Sequence, residues 1–120
     1  MKMELFASAE LPKGFCYPRA FLEFIGKGYT NLTPWHFLHG PQLRLTWAGL
    51  KSRYPAYNRV PFAFRQDCDD IACWDASSNE RVILIHDFAS RGWELLSRDF
   101  ASFDEWLKQA IKDMVDFQDN

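Results

Sequence analysis

The densest group of chemistry-bearing side chains in this chain is Asp67, Asp69, Asp70 and Asp75, four carboxylates within nine positions. Carboxylate oxygens bind hard cations such as calcium. The spacing departs from a calcium loop, because Asp67-Cys68-Asp69-Asp70 has neither the central glycine nor the terminal glutamate. Aspartates also close turns by bonding the local backbone. An acidic loop on a surface can instead meet a basic partner and speed the encounter by electrostatic steering. A solvated turn and a recognition surface both fit the pattern, and no metal or other cofactor is expected.

Other constellations are weaker. Cys68 and Cys73, with His86, offer zinc ligands, but the cysteines lie five apart rather than at the two-to-four spacing of a zinc knuckle. A nucleophilic triad needs Ser or Cys beside a histidine held by a carboxylate. His86 and Asp87 are adjacent, yet neighbours on a strand point to opposite faces, so Asp87 cannot easily orient the His86 ring. There is no Gly-x-Ser-x-Gly elbow. Gly26-Lys27-Gly28 is too short for a phosphate loop. His36 and His39 flank Phe37-Leu38 and are expected at a strand end. Catalysis is therefore not expected; the alternative is a small metal-dependent hydrolase using His86 and acidic residues.

The chain that must position these groups has 120 residues, enough for one domain over 1–120. Apolar residues make up 48% and aromatics 17%, a load that argues against disorder. The net charge of −2 and the lack of a Lys/Arg run argue against nucleic acid as a partner. No stretch approaches the roughly 20 apolar residues of a membrane span. Met1-Lys2-Met3-Glu4 lacks the apolar run of an export signal. The three cysteines, Cys16, Cys68 and Cys73, form no closed disulfide set. A reduced, cytoplasmic protein with buried thiols is the expectation.

The elements follow from pattern and punctuation. Leu11-Pro12 and Tyr17-Pro18 favour extended backbone. Pro18 then opens a helix to about Ile25, with Phe21, Leu22 and Ile25 on one face, and Gly26 and Gly28 end it. Leu32–Leu38 reads as one short strand with Pro34 at its start. A second helix spans Pro41 to Arg53, where Leu43, Trp47, Leu50 and Tyr54 form a helical stripe, and Pro55 ends it. An antiparallel meander follows. Its strands are Arg59–Phe64, edge-placed or bulged at Pro61, then Asp70–Trp74, the apolar Arg81–His86, and a late strand near Trp93–Leu96. Asp75-Ala76-Ser77-Ser78-Asn79 is one turn of this meander. Ser102-Phe103-Asp104-Glu105 is a capping box that opens the last helix. Phe103, Trp106, Leu107, Ala110, Ile111 and Met114 give that helix an apolar face opposite Asp104, Lys108, Lys112 and Asp116.

The expected fold is thus α+β: an antiparallel sheet of about five strands packed against N-terminal helices and a long C-terminal helix. The five tryptophans exceed what the core of so small a domain commonly holds, which leaves one or two for a binding surface. Trp74 and Arg65 flank the acidic turn and are the expected anchors. Together with Asp67, Asp69, Asp70 and Asp75 they form the candidate partner-binding set.

Val60-Pro61-Phe62-Ala63, the acidic turn at Asp69-Asp70, and Ile71-Ala72-Cys73-Trp74-Asp75 together resemble the central signature of the SUKH superfamily. That superfamily takes in the yeast cell-wall-synthesis regulator of the Smi/Knr type and many bacterial immunity proteins. Leu11-Pro12, His86-Asp87, Trp93 and Ser102-Phe103 follow the pattern in order, and Pro34-Trp35 with Tyr54-Pro55 looks like one bacterial branch. Asp69 departs from it, standing where a glycine usually precedes the Asp; Asp is among the few residues that tolerate a positive backbone angle there. The resemblance implies an α+β fold and a protein partner, commonly a nuclease toxin neutralised by direct binding. Other members are thought to be regulatory or scaffold-like.

Overall fold

The computed structural model describes residues 3–77, 80–86 and 99–118. Among these residues three helices and six strands follow one another as α1 (Arg19–Gly26), β1 (Asn31–Leu32), β2 (Trp35–Phe37), α2 (Gly40–Arg53), β3 (Arg59–Arg65), β4 (Asp70–Asp75), β5 (Val82–His86), β6 (Asp99–Phe100) and α3 (Phe103–Gln118). The fold is α+β, and its sheet is antiparallel throughout with strand order β1-β2-β3-β4-β5-β6. Among the described residues it has six strands, against the expectation of about five. The late strand expected near Trp93–Leu96 lies outside the described residues.

Most differences from the expected elements are local. Leu32–Leu38 is a hairpin rather than one strand, with Thr33 and Pro34 forming the turn between β1 and β2. Asn31 closes that turn, its Oδ1 accepting from the Thr33 amide at 3.0 Å and the Thr33 hydroxyl at 2.6 Å. Pro61 sits on an interior strand, not an edge, and the ladder accommodates it by a register shift between Pro61 and Ala63. On α1 the inward residue beside Phe21 is Phe24, which meets Phe37 and Phe103, whereas Leu22 is exposed. Half of the expected capping box forms at α3: the Glu105 amide donates to the Ser102 hydroxyl at 3.4 Å, while the Glu105 carboxylate accepts from Lys108 at 3.3 Å. Ile111 is exposed instead of lying in the apolar face.

Alternation along β4 and β5 divides the core. Ala72, Trp74, Val82 and Leu84 face one cluster, which α1, α3 and the N-terminal segment cover with Phe21, Phe103, Trp106, Phe6 and Phe15. Ile71, Cys73, Ile83 and Ile85 face a second, which Leu50 of α2 joins. Helix α2 also sends Leu43 and Trp47 to the first cluster, where Phe6 meets Trp47 at a ring separation of 4.4 Å. The N-terminal segment reaches this position through a tight turn at Pro12–Phe15, whose amide-to-carbonyl bond spans 3.0 Å. Gly14 adopts φ +85° there, a conformation that costs glycine little.

No helix among the described residues is long and apolar enough to cross a membrane. None of the three cysteines is in a disulfide among the described residues; Cys73 is buried, while Cys16 and Cys68 are exposed, against the expectation of buried thiols.

Candidate functional site

The β3–β4 hairpin carries most of the candidate residues. Pairing of β3 with β4 brings Arg65 and Asp70 to the two sides of a connection of four residues, Gln66 to Asp69. The base of this turn is fixed to the β1–β2 hairpin. The Gln66 amide donates to the Pro34 carbonyl at 2.9 Å, and the Gln66 side chain bonds the His36 ring. Beyond that base, Asp67, Cys68 and Asp69 are exposed. None of these adopts a positive backbone angle, so Asp69 does not use the tolerance for one that its residue type allows.

Arg65 is held at its guanidinium. Its Nε donates to Asp67 at 2.7 Å and its Nη1 lies 3.3 Å from Asp113 on α3. Asp113 also accepts from the Trp35 indole N–H at 3.0 Å and from Gln109 at 2.9 Å. The half-buried Asp113 carboxylate thus ties β2, β3 and α3 together directly beneath the turn. The Asp67 bond pushes Arg65 further up, and the Arg65 guanidinium holds Asp67 below the usual carboxylate range. Partial burial pushes the Cys68 thiol up, so it stays protonated at neutral pH and is a poor nucleophile.

Asp70 has a different partner. The β4–β5 register sets it opposite His86, and its Oδ1 lies 2.6 Å from His86 Nδ1. The adjacent Asp87 lies outside the described residues. Cys73 points into the second cluster while His86, three residues beyond Ile83, points to the other face, so the Cys68–Cys73–His86 set is not brought together. Among the described residues no group of three His, Cys, Asp or Glu side chains converges to hold a metal ion.

Two members of the candidate set are placed elsewhere. Trp74 is 0% exposed, stacked on Phe62 at 4.2 Å and bracketed by Phe15, Tyr17 and Phe21. It is a core residue and cannot serve as an exposed anchor. Its even alternation with Ala72 sets it on the face that α1 covers, which its position next to an acidic residue does not reveal. Asp75 lies at the far end of β4 from Asp70, about 17 Å away along the strand. There it closes a local turn, accepting from the Ser77 amide at 3.0 Å and hydroxyl at 2.7 Å. The structure gathers Arg65, Asp67, Asp69 and Asp70 and leaves Asp75 out.

Comparison of the chain with family models, with curated proteins and with solved structures finds no match. The site is therefore read from its own geometry. Asp69 and Asp70 line one wall of an open groove of about 380 Å³, and Gln42, Leu45 and Thr46 of α2 line the other. Neither this groove nor the Asp113 hub was anticipated. For Asp113 the signal was present: Trp106, Ala110, Asp113 and Phe117 recur at helical spacing, so a carboxylate stands within the apolar stripe. An acid in that position requires a partner from the opposing layer.

Proposed function

We propose that this chain is a non-catalytic protein-binding module of the immunity type, resembling the SUKH superfamily, that docks on its partner through the β3–β4 turn. One observation carries the reading: Asp67 and Asp69 are displayed in solvent on a turn whose base is fixed by Gln66–Pro34 and by Arg65–Asp113. A surface held rigid before binding loses little conformational entropy in the complex. Its excess negative charge fits a basic partner face, such as the substrate-binding face of a nuclease toxin, and attracts it over several ångströms. Inhibition would follow from occlusion of that face. The same geometry serves a regulatory scaffold whose partner is not a toxin; finding a neighbouring gene that ends in a nuclease-like domain would favour the toxin.

The test takes the protein captured from the native host with this chain as bait. Asp67→Asn/Asp69→Asn/Asp70→Asn is compared with a control of equal charge change, Glu23→Gln/Asp104→Asn/Glu105→Gln. The proposal expects the first to weaken binding and the second to leave it unchanged. Asp67 and Asp70 have intramolecular partners, so thermal melting accompanies both, and Asp69→Asn alone supplies a variant with no such partner among the described residues. Equal binding by wild type and the turn variants contradicts the proposal.

The Asp70–His86 pair favours a second reading. A carboxylate at 2.6 Å from Nδ1 orients an imidazole as an acid–base catalyst requires. A small metal-dependent hydrolase built on His86 would carry stoichiometric metal after purification and lose thermal stability with chelator. Absence of both effects rejects that reading.

A further inference from the structure

We propose that residues 3–15 form a displaceable strap, which lifts from the body as one unit while the sheet and helices stay folded, and so uncovers Trp47 and Trp74. The strap is independent of the docking turn proposed above. Two observations point to it together. The segment is held by few directional bonds, and the two indole rings beneath it carry buried donors that closure leaves unpaired.

Residues 3–15 contribute no helix and no strand. Their turns are internal: the Glu10 amide donates to the Ala7 carbonyl at 2.9 Å, Leu11 to Ser8 at 3.3 Å and Phe15 to Pro12 at 3.0 Å. Among the described residues one backbone pair ties the segment to the body, the Gly40 amide donating to the Glu4 carbonyl at 2.8 Å. The Phe6 amide adds a bond to the Tyr17 hydroxyl at 3.2 Å. Arg44 of α2 pairs with Glu10 and lies over the Phe6 ring, 5.2 Å from its centroid. That ion pair is exposed, and exposed pairs contribute little to stability. The remaining attachment is apolar, through the buried side chains of Phe6, Leu11 and Phe15. These three are a small part of the first cluster, whose other members come mainly from the three helices and the sheet.

Closure has a cost at the indoles. Of the buried side-chain nitrogen and oxygen atoms among the described residues, Trp47 Nε1 and Trp74 Nε1 alone lack a hydrogen-bond partner. Both rings lie against the strap: Phe6 meets Trp47 at 4.4 Å and Phe15 meets Trp74 at 5.8 Å. The buried Trp35 instead donates its indole N–H to Asp113 at 3.0 Å. A buried donor without an acceptor destabilises the state that buries it. Lifting the strap lets water, or the backbone carbonyl of an incoming chain, accept from both indoles, so the penalty acts against closure. Phe62 and Phe21 stay on Trp74, at 4.2 Å and 4.8 Å, and keep the body packed. A segment attached in this way opens locally, below the free energy of global unfolding.

The test is native-state hydrogen exchange of the full chain, read by NMR at the indole N–H groups of Trp47 and Trp74 and at the backbone amides of β4, an interior strand. After correction for intrinsic rates, both indoles should exchange at least about tenfold faster than the β4 amides. Low denaturant should change the indole rates little, while the β4 amides follow the full denaturant dependence of global unfolding. Two variants separate strap from body. Arg44→Gln removes the ion pair with Glu10 and should speed both indoles about two- to fivefold, the range of one exposed pair. Ile83→Val weakens the second cluster, which the strap does not join. It destabilises the body equally with the strap closed or open, so the β4 amides should speed about two- to tenfold and the indoles not at all. Exchange of either indole at the rate and denaturant dependence of β4 would overturn the inference. So would indoles that ignore Arg44→Gln, or that speed with β4 in Ile83→Val.

Discussion

The two ends of the β3–β4 hairpin are built on opposite principles. At one end Trp74 stacks on Phe62, with ring centroids 4.2 Å apart, and Phe21 meets Trp74 edge-on at 4.8 Å. At the other, Arg65, Asp67 and Asp69 stand in a polar turn. The same two strands join the two ends, with a register shift between Pro61 and Ala63 beside the aromatic end. Burial makes the first end the source of stability. Exposure makes the second cheap to vary, because surface charges contribute little to folding. A docking surface gains from this separation: its chemistry can change without loss of the body that presents it.

Substitutions at the two ends should differ accordingly. Trp74→Ala is expected to cost about 3–5 kcal/mol in chemical denaturation, the range for large aromatic deletions in a core. Trp74→Phe should cost much less, because it keeps a large aromatic ring in the core and the Trp74 indole N–H has no hydrogen-bond acceptor to lose among the described residues. Equal costs would show that the indole nitrogen has a partner in solution. Arg65→Ala removes one partner of the half-buried Asp113 and should cost about 1–3 kcal/mol. A cost near zero would mean that Trp35 and Gln109 suffice for Asp113, and that the turn is not anchored to α3. Asp69→Asn should leave stability within about 0.5 kcal/mol. A larger loss would sink the contrast between the two ends.

The N-terminal segment supplies a pH-dependent counterpart. Glu10 accepts from Arg44 of α2 at 2.5 Å, and that bond, with one from the Ala7 amide, lowers its pKa from 4.5 to about 2. A depressed carboxylate stabilises the folded state above its unfolded pKa, and the contribution is lost as pH falls through the folded value. The clasp between the N-terminal segment and α2 should therefore be complete above pH 4.5 and released on approach to pH 2. A carboxyl titration of Glu10 by NMR with a midpoint near 4.5 would contradict it.

Legibility in the sequence followed how local the determining physics is. Helices α2 and α3 were readable because their apolar stripes and caps repeat within a few residues, as Leu43, Trp47 and Leu50 or Ser102 and Glu105 show. The strand pattern of Val82–His86 was readable for the same reason. The hairpin at Thr33–Pro34 was not, since proline reads equally as a strand start or a turn. Trp74 shows the larger gap. Its face depends on what packs above the sheet, and composition gave no means of placing it. The Asp70–His86 contact depends on the register between two strands, which neither strand specifies alone. The groove depends on where α2 lies against β3, the least local relation of all.

The central claim is that the acidic turn is the docking face. The most direct measurement is the association rate of the captured partner with wild type and with the Asp67→Asn/Asp69→Asn/Asp70→Asn variant, across a range of salt concentrations. The account predicts fast wild-type association that slows steeply with salt, and a variant that is slower at low salt and nearly salt-independent. Identical rates and identical salt slopes for the two proteins would contradict it.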